Sequence, residues 1–141
     1  MSYLFKQKLN LGDLSLTNRE IKRVLVFEPE EYLAALYANY VRNQEFEVRH
    51  CLELEEVPAL IVKFSPHLLV FNAEALDSPV KSKSWLVSLK NRHPELHVVT
   101  IGYNISSEGV RELMSAGISS HINRHLSRPN DIAHIIKAIL N

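Results

Sequence analysis

Short runs of apolar residues recur along the chain, each bounded by polar or turn-forming residues, and between them apolar residues return at every third or fourth position. Val24-Leu25-Val26-Phe27 stops at Glu28-Pro29, Leu68-Leu69-Val70-Phe71 sits between Pro66-His67 and Asn72, His97 to Ile101 ends at Gly102, and Ile118 to Asn123 runs up to Arg124. Runs this short predict strands, and the continuously apolar ones predict strands covered on both faces. Phe46, Val48, His50 and Leu52 instead alternate with polar residues, which predicts a strand covered on one face only. The segments between carry helical spacing. Their inward stripes are Leu33, Leu36, Tyr37, Tyr40 and Val41; Val57, Leu60, Ile61 and Phe64; Trp85, Leu86 and Leu89; Val110, Leu113 and Met114; and Ile132, Ile135, Ile136, Ile139 and Leu140. Pro29, Pro58 and Pro129 fall near first turns, Glu30 and Glu31 suit the positive end of a helix dipole, and Gly117 suits a C-cap.

Five strand–helix pairs in succession require a parallel sheet with right-handed crossovers. The expected fold is α/β, a flavodoxin-like doubly wound five-stranded sheet of order 2-1-3-4-5. In such a sheet the third strand is central, and ligand chemistry gathers beyond the carboxyl ends of the strands, which places Asn72 at the expected site. Residues 1–22, where Gly12, Asp13 and Asn18 interrupt scattered leucines, show no sustained period and read as an N-terminal arm to a single domain of residues 23–141. Within the arm, Leu16 to Ile21 echoes the opening helix of a bacterial helix-turn-helix family, but no recognition helix follows it.

Charge and composition narrow the partners. The 141 residues carry 16 basic and 16 acidic side chains. No whole-molecule field draws such a chain to nucleic acid or an anionic membrane, so proteins or small molecules are the expected partners. Lys81, Lys83, Lys90 and Arg92 form a modest basic face on the third helix, without the interleaved aromatic residues of a single-strand binder. Cys51 is the only cysteine, which excludes an internal disulfide and fits a reducing, cytoplasmic setting. No apolar run reaches membrane-spanning length, and the first residues lack the apolar core of a signal peptide. No nucleophile, base and acid stand at triad spacing, and no glycine-rich phosphate loop is present among four glycines. His121 and His125 lie on a strand and its exit, a poor arrangement for zinc.

Residues 23–141 resemble the receiver domain of two-component response regulators. The resemblance is carried by Val-Leu-Val-Phe-Glu at the first strand, Ser-Pro-His-Leu-Leu-Val-Phe-Asn at the third, His-Pro-Glu-Leu-His-Val-Val at the fourth and Ser-Ala-Gly-Ile-Ser-Ser-His-Ile at the fifth. At the chemical positions the likeness fails. The phosphate-accepting aspartate of receivers aligns with Asn72, and their acidic pair after the first strand with Glu28 and Pro29. The fourth-strand hydroxyl aligns with Gly102, the fifth-strand lysine with Arg124, and the aromatic switch position with His121. Mg²⁺ wants hard oxygen ligands, and at least two of the three expected carboxylates are missing.

The resemblance therefore implies a degenerate pseudo-receiver, neither enzyme nor phosphoacceptor, without metal or other cofactor. Its expected role is a phosphorylation-independent protein–protein interaction module in signalling, with a protein partner or a second copy of this chain on the face of helix four, strand five and helix five. The outward residues expected there are Arg111, Glu112, Ser115, Asp131, His134 and Lys137. An alternative is a sensor that binds a small anion or metabolite in the vacated pocket. For the pocket itself two arrangements are open: Arg124 forms a bidentate ion pair with Glu28, or it points to solvent and leaves the pocket empty.

Overall fold

The computed structural model describes residues 20–141; residues 1–19, and with them most of the arm and the Leu16–Arg19 part of the helix-turn-helix echo, lie outside the described residues. The chain runs β1 (Arg23–Phe27), α1 (Glu31–Arg42), β2 (Glu47–Cys51), a 3-10 turn (Leu54–Glu56), α2 (Val57–Phe64), β3 (Leu68–Asn72), α3 (Pro79–Arg92), β4 (His97–Gly102), α4 (Ser107–Met114), β5 (Ser120–Asn123) and α5 (Pro129–Leu140). All neighbouring strands are parallel, in the order β2-β1-β3-β4-β5, as the alternation of elements requires. The fold is the doubly wound α/β sheet expected from the sequence.

Side chains of successive strand residues point to opposite faces, and the two faces have separate cores. Val24, Val26, Val70, Val99 and Ile101 pack with Tyr37, Val41, Ile132 and Ile136 under α1 and α5. Leu25, Phe27, Leu69, Phe71 and Val98 pack with Ile61, Phe64, Leu86, Leu89 and Leu113 under α2, α3 and α4. The Phe71 ring lies 5.3 Å from that of Phe27 and 5.2 Å from that of Trp85, centroid to centroid. Every residue of β3 is buried, which explains its uninterrupted apolar run.

Three expected inward residues point elsewhere. His50 is exposed, because β2 is an edge strand whose coverage on that face ends at Val48, while Cys51 turns into the opposite core. Tyr40 is exposed because the inward line of α1 runs through Ala34, Tyr37, Ala38 and Val41, and the two alanines carry contacts that a search for bulky residues passes over. Met114 is 45% exposed, since α4 contacts the core through Gly109 and Leu113 and the chain re-enters it at Ala116. Pro29 precedes the helix rather than lying in its first turn: Glu30 is the N-cap of α1, its Oε1 accepting from Leu33 N at 2.8 Å.

Gly109 has a packing reason. A Cβ there would lie 2.9 Å from both Ile105 Cγ2 and Pro79 Cγ, so its absence lets the N-terminal turns of α3 and α4 approach. Gly117, after α4, has φ +87°, the left-handed conformation expected of its position.

Candidate functional site

The ladders bring four strand ends together. Phe27 pairs with Phe71, Asn72 with Ile101, and Gly102 with Asn123, so Glu28, Asn72, Gly102 and Arg124 arrive at one edge of the sheet. Arg124 N donates to Gly102 O at 2.9 Å and fixes the exit of β5 against the end of β4. Glu28, Asn72 and Arg124 are all buried.

Glu28 is the centre of this group. Its Oε1 contacts Arg124 Nη2, Asn72 Nδ2 donates to both carboxylate oxygens at 3.1 and 3.2 Å, and Glu30 N donates to Oε2 at 2.9 Å. The carboxylate is thus fully engaged. Arg124 meets it through one nitrogen and not as a bidentate fork, because Asn72 and the Glu30 amide take the remaining acceptor positions. Of the two arrangements left open by the sequence, the solvent-pointing one is not found.

The guanidinium lies between two aromatic rings, its central carbon 5.3 Å from the centroid of Tyr37 and 5.0 Å from that of Tyr103. Cation–π attraction in a desolvated site is worth up to about 2 kcal/mol and offsets part of the cost of burying the charge. Burial still pulls Arg124 down to about 10, and Arg124 Nε has no hydrogen-bond partner among the described residues. At neutral pH the group keeps its charge. Burial pushes the Tyr37 hydroxyl up to about 12, with Tyr103 adding to the effect, so this ring stays neutral beneath the cation.

Asn72 explains itself in this setting. Its Nδ2 serves Glu28, and its Oδ1 accepts from Glu74 N at 2.7 Å. An amide supplies a donor to one neighbour and an acceptor to the other, which an ionised carboxylate does not. A carboxylate at this position would face Glu28 with no proton between them.

The residues present do not fit Mg²⁺. Glu28 is saturated by Arg124, Asn72 and the Glu30 amide, Pro29 offers no side-chain ligand, and the Glu30 carboxylate caps α1. A divalent cation would have to displace a guanidinium already held between two rings. Among the described residues no group of three or more His, Cys, Asp and Glu side chains converges on a possible metal position. Asp77, five residues past Asn72, pairs with Lys81 at the surface, 3.0 Å away.

The remaining expected residues are placed as follows. His121 is half-buried on β5, with Nδ1 2.8 Å from Oγ1 of the buried Thr100. Burial lowers its pKa from the ordinary value against an opposing pull from Glu74, so the ring is neutral near pH 7 rather than poised to titrate there. Arg111, Ser115, His134 and Lys137 are exposed on α4 and α5 or at their ends. Glu112 and Asp131 are half-buried and engaged within the chain: Glu112 with Lys83 Nζ at 3.2 Å, and Asp131 Oδ2 with Arg128 N at 2.8 Å, a cap on α5. The basic face of α3 is similarly tied down, since Lys90 Nζ donates to Pro94 O and Leu96 O at 3.2 and 2.8 Å. Cys51 is buried, and burial with Glu56 pushes its thiol up to about 12, which keeps it unreactive.

Sequence reasoning missed Tyr37 and Tyr103 as the walls around Arg124, and it missed Glu74. The Glu74 carboxylate accepts from Tyr103 N at 3.0 Å and from Asn104 N at 2.8 Å, spanning the loops after β3 and β4. A groove of about 300 Å³ lies beside it between those loops, lined by Glu74, Asp77, Asn104, Ile105 and Ser106 among others. A larger concavity, about 650 Å³, opens at the other end of the sheet, near Lys22, Pro66, His67 and His97.

Comparison with solved structures gives the same architecture. An orphan response regulator of Helicobacter pylori superposes with a TM-score of 0.76 at 18% identity, covering 85% of this chain and 97% of that one. A CheY-like response regulator receiver domain protein from Methanospirillum hungatei gives 0.75 at 19% identity over 86% and 94%. A response regulator from Thermotoga maritima gives 0.76 at 13% identity over 86% and 98%. No family model matches the chain, and no curated protein matches it in sequence. At these identities the likeness establishes the receiver fold.

Proposed function

We propose that this chain is a pseudo-receiver, a receiver fold without phosphoryl chemistry that serves as a protein–protein interaction module in signalling. One observation carries the reading: at the carboxyl end of the central strand stands Asn72, with both ends of its amide engaged, beside a Glu28 neutralised by Arg124. An amide accepts no phosphoryl group, and the carboxylate that would bind metal is held by a cation of the protein's own. The pocket that an anion or metabolite sensor would need is filled by the same side chains, which favours the interaction role over the sensor. The chain is accordingly read as no enzyme, and its setting as cytoplasmic.

The working surface in this reading is the face of α4, β5 and α5, where Arg111, Ser115, His134 and Lys137 are free to meet a partner and Met114 adds an exposed apolar contact. Two experiments test it. Incubation with a small-molecule phosphodonor and Mg²⁺ leaves the intact mass unchanged; an adduct of one phosphoryl group mapping to the pocket overturns the reading. Arg111→Glu with Lys137→Glu abolishes partner capture or self-association with little change in Tm, since exposed substitutions usually cost under about 0.5 kcal/mol. The rival is a deletion of residues 1–20: if it removes association while the charge reversals do not, the arm carries the binding.

A further inference from the structure

Glu74 is exposed, lies in a loop, and makes two charge-assisted contacts that no other described side chain duplicates: its two carboxylate oxygens accept separately from the successive amides of Tyr103 and Asn104. Its own backbone N–H donates to Asn72 Oδ1, so its position is set from inside by the buried polar group. Its aliphatic stem runs across the end of β4. A Cβ on Gly102 would lie 3.5 Å from Glu74 Cδ and 2.9 Å from Ile105 Cγ1, so a side chain at position 102 would crowd the place the stem and the loop now occupy. Glycine at the strand end and a glutamate reaching over it form one arrangement.

We propose that Glu74 is a built-in anion: it latches the β4–α4 loop to the β3–α3 loop and, by occupying the Tyr103 and Asn104 amides, withholds them from any external oxyanion. Successive amides pointing one way form a natural pair of donors for a carboxylate or phosphate. Here the donors are satisfied internally, and Asn104 stands two residues before Ser106, the N-cap of α4, so the latch also fixes where that helix begins.

The test uses ¹⁵N-labelled full-length chain as wild type, Glu74→Ala, Glu74→Gln and Asp77→Ala, the last removing a neighbouring surface carboxylate. Amide hydrogen exchange is read at Tyr103 and Asn104, then inorganic phosphate is titrated in at constant ionic strength. Loss of the latch raises exchange at both amides about tenfold in Glu74→Ala, as expected for removing hydrogen bonds to a charged acceptor, and less in Glu74→Gln; Asp77→Ala matches wild type. Phosphate shifts the two amide resonances saturably in Glu74→Ala and leaves them unmoved in wild type. Unchanged exchange in Glu74→Ala refutes the latch. Equal phosphate shifts in wild type and Glu74→Ala, or none in either, refute the occlusion.

Discussion

Replacing Asn72 by aspartate changes one atom group and reverses the logic of the buried site. The Nδ2 that donates to Glu28 at 3.1 and 3.2 Å becomes an oxygen without a hydrogen, so two carboxylates meet at hydrogen-bond distance in a buried place. At 3.1 Å and an effective dielectric constant of about 20, their repulsion is roughly 5 kcal/mol, and two donor contacts are lost as well. Arg124 already faces Glu28 and offsets part of this, which leaves a net cost of about 3–4 kcal/mol at pH 7. Burial of the whole group makes the cost large. The penalty depends on pH with a definite sign. The new carboxyl has a folded-state pKa raised above its unfolded value of about 3.9, so the folded state holds the extra proton and relative stability recovers as pH falls through the raised pKa. Urea unfolding at pH 7 should show a midpoint lowered by about 2 M for a slope of about 2 kcal/mol/M, with a smaller shift at pH 5. Adding Glu28→Gln should restore most of the loss, because the repulsion then has one charged member. A single mutant within about 1 kcal/mol of wild type at pH 7, or a double mutant no better than the single, refutes the account of the site.

Three further outcomes follow from the same geometry. Arg124→Met leaves Glu28 buried and unpaired and should cost about 3–5 kcal/mol in chemical denaturation, while Arg124→Lys, which keeps the charge without the planar contact to Tyr37 and Tyr103, should cost less. Gly109→Ala should destabilise by about 1 kcal/mol in thermal unfolding although alanine is the better helix former, because the new methyl meets Ile105 and Pro79 at 2.9 Å. The Cys51 thiol is raised from 9.0 to about 12 by burial, so the folded state keeps a proton that the unfolded state loses as pH rises above 9. Cys51 should therefore contribute a fall of roughly 1.4 kcal/mol between pH 8 and pH 10, and the slope should be shallower by that amount in Cys51→Ala, as measured by urea midpoints across that range.

What the sequence made legible follows from what it encodes locally. Unbroken apolar runs marked β1 and β3 because both faces of a central parallel strand are covered, and alternation of strands with helices determined the order of the sheet. The end-of-strand positions Glu28, Asn72, Gly102 and Arg124 were readable because parallel register aligns strand ends without knowledge of any contact. The residues that complete the site were not. Tyr37 read as one more inward helix residue, and its position under Arg124 depends on how α1 lies over the sheet. Tyr103 and Glu74 sit in loops, where no periodicity constrains a side chain and the partners are backbone amides from another loop. Gly109 likewise owes its place to the approach of Pro79 and Ile105, which no local pattern encodes. Exposure at Tyr40 and Met114 was misjudged for a related reason: a stripe of large residues identifies a helix, but small residues decide where it touches.

The ion pair between Glu28 and Arg124 joins residues 96 positions apart, and this separation bears on how the chain folds. Glu28 follows the first strand of the sheet, yet the cation that neutralises it arrives only with the last strand. A partly folded chain in which β1, β3 and β4 have assembled without β5 therefore carries an uncompensated carboxylate at the rim of its nascent core, an unfavourable species. Docking of β5 relieves it and brings the guanidinium between its two rings in the same step. The site thereby penalises incomplete intermediates and rewards only the finished sheet, which couples the last strand to the first and makes unfolding more nearly all-or-none.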